Sequence, residues 1–234
     1  MFFAHYQTDI VQFIYVKFYR EYMKNIKKVA VLGGGGRTGR YLVNQLLEKG
    51  FNVKVLLRNP QNFTIQNSKI EIIKGDAISE SSIRSLLEDC QAVVSTVGQR
   101  PGEPMVASQA TKNILKIMNE FDIERYVLLA GLNIDTPFDK KSEKTLLATE
   151  WMKANYPEIQ KDRQLTYDLL TESNADWTLI RVPFIEFTDT TAEVIVNPED
   201  CPGDKISSFD IAGFMVQEII EPKFIRKAPF IANI

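Results

Sequence analysis

Short apolar runs alternate with amphipathic stretches along most of the chain. The run VAVL at 29–32 is too short for a helix and is closed by glycine, so it predicts a strand. Similar runs predict strands at 53–57, 70–74, 92–96, 126–129 and 177–180. Between them, apolar positions recur every three or four residues. They predict helices from about 38 to 49 and over 79–87, 106–120, 146–154 and 158–172. Ala107, Ala110, Ile114, Leu115 and Met118, for example, fall near one helical face. Pro157 is expected to break the chain before the last of these helices. A short strand at 194–196, a helix over 211–220 capped by Ser208 and Asp210, and a closing strand in APFIANI complete the pattern. The NPQNFTIQNS segment and the charged stretch after Leu132 read as loops. Such regular alternation predicts an α/β fold with a doubly wound parallel sheet. One domain is expected over 23–234, with a small substrate region at about 183–234.

The chemistry concentrates where the first strand meets the first helix. LGGGGRTG joins them, with Gly33, Gly36 and Gly39 spaced three apart. The first glycine permits a sharp turn, the second lets main chain approach a phosphate, and the third lets the helix pack close to the strand. The helix start then offers free N–H groups and a positive dipole end to a pyrophosphate. Strand, loop and helix together predict a dinucleotide site of the Rossmann type. The next strand says which dinucleotide. It ends at Arg58, where NAD-preferring sites usually place an acid for the ribose hydroxyls. A guanidinium there suits a 2′-phosphate, and Arg37 in the glycine loop would add a second charge or else stay in solvent. NADP(H) is therefore the expected cofactor.

Ligands of an open parallel sheet sit outside the carboxyl ends of its strands. That rule gathers the glycine loop with Thr38, then Arg58, Asp76 and Ala77, Val97 and Gly98 with Arg100, Ala130 and Gly131, and Pro183. The Asp76 carboxylate would accept from the adenine amino group or else cap its own turn. Gly98 would admit the cofactor ribose closely. Arg100 would reach a phosphate or a substrate carboxylate, or stay in solvent.

Composition narrows the classes. With 234 residues, 44% hydrophobic and 25% charged, the chain fits one soluble α/β domain. A net charge of −2 disfavours a general nucleic-acid binder. Cys90 and Cys201 have no metal or redox spacing and the one histidine, His5, lies outside the predicted domain, so no metal site is expected. A reducing cytoplasm is the expected location. The first 22 residues are crowded with Phe, Tyr, Ile and Val but broken by Asp9, Gln12 and Lys17. They are too short and polar to span a membrane and lack the basic start of a secretory leader. Met23 stands where a domain of this type normally begins. The segment reads as an upstream extension, or as an aromatic helix packing on a neighbouring subunit and so a route to a homo-oligomer.

From about Lys27 onward, the phrases VLGGGGRTG, VLLRNP, KGDAIS, VVSTVGQR, LLTESNADWTLIRVPFI and KISSFDIAGFMVQEII follow one another. Together they resemble the atypical short-chain dehydrogenases/reductases, and within them the NmrA-like and biliverdin-IX-beta reductase/flavin reductase groups. The resemblance implies NADP(H) held by Gly33, Gly36, Thr38, Gly39, Arg58 and Asp76. It also implies hydride transfer to a flat acceptor near Gly98, Gly131 and Pro183. The usual catalytic set is missing. The Tyr and the Lys four residues later fall near Ile159 and Arg163, and the Ser or Thr after the fifth strand is replaced by Ala130 and Gly131. Arg163 and Tyr167 are the nearby substitutes, Tyr167 reading better as a packing residue; no catalytic residue is assigned. Flavins and quinones take hydride with a proton from solvent, so a reductase of a flavin-, quinone- or tetrapyrrole-like acceptor remains the expectation. The alternative is a non-catalytic NADP(H) sensor acting through a protein partner. A sugar-nucleotide epimerase-like enzyme is a third reading, opposed by the missing Tyr/Lys pair and the small C-terminal region.

Overall fold

The computed structural model describes residues 26–99 and 106–234. The aromatic-rich first 22 residues, Met23 and Arg100 lie outside the described residues. In chain order the first elements are β1 (Lys28–Leu32), α1 (Arg37–Glu48), β2 (Asn52–Leu57), β3 (Ile70–Lys74), α2 (Glu80–Leu87) and β4 (Ala92–Ser95). There follow α3 (Val106–Glu120), β5 (Arg125–Gly131), α4 (Glu143–Asn155), α5 (Pro157–Glu172) and β6 (Asp176–Val182). The last are β7 (Phe184–Glu186), β8 (Val194–Asn197), β9 (Lys205–Ser207), α6 (Ser208–Ile220) and β10 (Phe230–Asn233).

The main sheet has the order β3-β2-β1-β4-β5-β6-β10-β8. β1 lies near its middle, with Val31 opposite Val55 of β2 and Val94 of β4. Strands covered on both faces have no polar side to show, which is why they read as apolar runs. On one face α1 and α6 bring Leu42, Val43 and Leu46 against Ile211, Met215 and Ile219. On the other, α2, α3 and α5 contribute Ile83, Leu86, Ile114, Ile117 and Leu170. The chain winds outward in one direction through β1, β2 and β3 and in the other through β4, β5 and β6. The reversal opens a crevice at the carboxyl ends of β1 and β4, where ligands of such sheets bind.

Several elements depart from expectation. The sheet is not wholly parallel, because β8 runs antiparallel to β10. β7 and β9 form a separate two-stranded parallel sheet; three residues each carry too little periodicity to be read. β6 extends through Arg181, whose side chain is fully buried and paired with Asp139 at 2.8 Å. α4 starts earlier than its apolar pattern suggests, capped by Ser142, and it buries Thr145 and Thr149 while leaving Leu146, Leu147 and Trp151 exposed. Pro157 opens α5 directly after α4, as first-turn prolines can. Ser207, not Ser208, caps α6 by accepting from the Asp210 N–H at 3.0 Å. Among the described residues, no helix is long and apolar enough to cross a membrane, and no three metal-ligating side chains come together.

Candidate functional site

The glycine loop is shaped by contacts that exclude side chains. Gly33 has φ +78°, and a Cβ on it would meet the Thr96 hydroxyl at 2.7 Å. A Cβ on Gly39 would overlap the Gly33 carbonyl, so β1 and α1 meet there without room for a methyl group. The Gly36 N–H donates to the Gly33 carbonyl at 2.9 Å and closes the turn. No side chain caps α1. Its first-turn N–H groups therefore have no intrahelical partner and point out of the helix start.

Two adjoining cavities meet at this turn and share Gly36, Thr96, Val97, Gly98 and Gln99 in their walls. One, of about 370 Å³, runs toward Arg58, Asn59, Asn62, Gly75 and Ala77. The other, of about 410 Å³, runs along Arg37, Thr38 and Gly39 to Ala130, Gly131, Pro183, Phe187 and Arg163. Both are of ligand-site size. A Cβ at Gly98 would stand in open space. A larger surface hollow of about 530 Å³ lies by Glu124 and Ala175, just before β5 and β6, at the amino ends of those strands. Sheet topology favours the carboxyl-end crevice over that hollow.

The structure thus brings Gly33, Gly36, Arg37, Thr38, Gly39, Arg58, Ala77, Val97, Gly98, Ala130, Gly131 and Pro183 to one cleft. Asp76 stands outside both walls. Its carboxylate accepts from the Ile78 N–H at 3.1 Å, which is the turn-capping role. The Thr38 and Ser208 hydroxyls hydrogen-bond to each other at 3.1 Å, tying the glycine-loop helix to α6. The Thr96 hydroxyl donates to the Leu32 and Gly33 carbonyls. Arg37 sits over the Phe187 ring, 3.5 Å from its centre.

Arg163 is the main residue that sequence reasoning left unassigned. It arrives on α5, from the sheet face opposite α1. Its guanidinium donates to the Val97 carbonyl at 3.2 Å, and burial holds it below the usual arginine range. The available signal was its place four residues after Ile159. Among the described residues, the two cavity walls hold Arg37, Arg58 and Arg163 and no Asp, Glu or Tyr. Tyr167 instead packs edge-on against Trp177 at 6.0 Å, and Tyr156 packs against Trp151 at 5.6 Å. Tyr126 is buried, which pushes its phenol up to about 12. Among the described residues the cleft is cationic and presents no proton donor working near neutral pH.

Residues 33–222 match the family model described as NAD(P)H-binding. The chain belongs to that family. A nicotinamide dinucleotide fits what this NAD(P)H-binding chain presents: a bare helix start, close-packed glycines and two continuous cavities. Among its relatives is a chloroplastic divinyl chlorophyllide a 8-vinyl-reductase of Arabidopsis thaliana, 25% identical over 85% of this chain and 51% of its own length. The chain spans 65% of the length of another curated Arabidopsis thaliana relative, so it matches only part of both. A short-chain dehydrogenase/reductase of Veillonella parvula solved with NADP superposes with TM-score 0.75 at 14% identity, covering 89% of this chain and 95% of that one. The anaerobilin reductase ChuY of Escherichia coli O157:H7 gives 0.73 at 16% identity, covering 88% and 97%. At these identities the structural likeness is one of fold. The fold and the family agree with the resemblance to atypical short-chain dehydrogenases/reductases.

Proposed function

We propose that this chain is an NADP(H)-dependent reductase of a planar acceptor of flavin, quinone or tetrapyrrole type. The cleft wall carries the reading: cationic and apolar groups line it, and among the described residues it holds no Asp, Glu or Tyr to donate a proton. The start of α1 and the glycine loop would hold the pyrophosphate, and Arg58 the 2′-phosphate. Bound NADPH supplies the hydride. Leu129, Val182, Pro183 and Ile185 line the second cavity beside Gly98 and Gly131 and would keep water from one side of a flat ring. Conjugated acceptors of this class take hydride into the ring system and a proton from solvent. The names of two similar proteins, acting on a chlorophyllide and on anaerobilin, support a tetrapyrrole-like substrate.

The test is acceptor-dependent NADPH oxidation across flavins, quinones, simple aldehydes and secondary ketones. Flavins or quinones should be reduced, and the carbonyl compounds should not. Tyr156→Phe and Tyr167→Phe should each lower turnover less than about tenfold, below the roughly 10²–10⁴ of a positioned general acid. Efficient carbonyl reduction abolished by either change would refute the reading. Tight NADPH binding without oxidation by any acceptor would favour a sensor acting through a protein partner.

A further inference from the structure

Arg163 is a half-buried cation, and among the described residues no carboxylate pairs with its guanidinium. A guanidinium offers five N–H donors in one plane. Arg163 gives one to the Val97 carbonyl, and among the described residues it forms no ion pair. Its neighbour Asp162 is turned away, with one carboxylate oxygen accepting from the Ala107 N–H at 3.0 Å and the other from Ser108 at 2.9 Å. Removing a cation from water without a partner is unfavourable, and an arriving anion reverses that. Arg163 also lies in the wall that holds Leu129, Val182, Pro183 and Ile185. A wall that sets these apolar side chains beside the Arg163 cation suits a ring system bearing an acid group.

We propose that Arg163 anchors an anionic substituent of the acceptor, so that the molecule reduced here is a planar conjugated ring carrying a carboxylate, sulfonate or phosphate. The assignment rests on the reductase reading above and narrows its substrate class. Arg163 acts as a specificity-determining residue. It holds the acid group by charge-assisted hydrogen bonds, which fork naturally to two oxygens of one group.

The test uses two matched pairs, riboflavin with FMN and naphthoquinone with its sulfonate, bound to the full chain saturated with NADP⁺. Binding is followed by flavin fluorescence or calorimetry, without turnover. In at least one pair the anionic member should bind roughly tenfold tighter, the worth of one charged hydrogen bond. Arg163→Gln should lose that discrimination, weakening the anionic member about tenfold more than the neutral one, and Arg163→Lys should restore part of it. A merely structural role would weaken both members alike, and that result overturns the assignment. So does equal affinity within both pairs, a lack of binding by every probe, or an Arg163→Gln defect confined to NADPH affinity. Because the readout is binding, failure to oxidise NADPH would sink the reductase reading while leaving an anion preference measurable.

Discussion

Arg58 stands exposed at the end of β2, beside Asn59 and Asn62 in the wall of the first cavity. We propose that its charge serves a cofactor that carries phosphate on that ribose. Arg58→Ala should weaken NADPH by roughly ten- to a hundredfold, the worth of a charged hydrogen bond, and leave NADH nearly unchanged. Equal losses by calorimetry would refute the role. Cys90 gives a pH-dependent prediction. Burial pushes its thiol from 9.0 up to about 12, against the pull of Lys54 and Lys28. The unfolded thiol ionises first, so unfolding releases a proton and stability falls as pH rises between those values. The free-energy gap between wild type and Cys90→Ala should shift against wild type by roughly 2 kcal/mol from about pH 9 to pH 11. Parallel pH curves in denaturant titrations would show otherwise. The tight packing of the glycine loop and the place of Arg58 at the end of β2 were legible because each follows from its local strand and turn pattern. Asp76 was readable only as two alternatives, since a turn carboxylate looks alike whether it caps itself or binds a base. Arg163 was located by spacing but not assigned, because its role comes from a helix crossing to the loop after β4.

Asp162 joins two helices. Sitting on α5 and fully buried, it receives the first-turn N–H groups of Ala107 and Ser108 on α3. It therefore caps a helix distant from it in sequence. Asp162→Ala leaves two buried donors without this partner and should cost about 2–4 kcal/mol, while Asp162→Asn, keeping one carbonyl oxygen, should cost about half as much. Urea midpoints should fall without a change in slope; a loss below about 1 kcal/mol for Asp162→Ala would contradict the cap. At this scale the central strands were read well, since burial on both faces writes an unbroken apolar run. β7 and β9 were not, since each is defined by its partner in a three-residue ladder. The start of α4 was missed because Leu146, Leu147 and Trp151 face outward, so apolar residues there mark no core.

The cleft draws its walls from both helical layers, so a bound dinucleotide recognises the assembled domain and not the unfolded chain. NADPH at about a hundred times its dissociation constant should add about 2.7 kcal/mol to stability. In a domain of this size that raises the melting temperature by roughly 5–10 °C. Scanning fluorimetry should show the rise, and Arg58→Ala should need proportionally more NADPH to reach it. An unchanged melting temperature at saturation would contradict a site built across the layers. The alternation of strands and helices made the doubly wound plan legible. The far edge was not, because its order depends on contacts between distant segments. There β10 lies between β6 and β8, pairing parallel to one and antiparallel to the other. Synthesis must therefore run out of spatial order along this edge. While the chain is being made, β8 leaves the ribosome before the strand that will separate it from β6. Until Phe230 emerges, that part of the nascent chain has an open strand edge and a vacant place in its sheet, which makes it the stretch where a chaperone has most to shield.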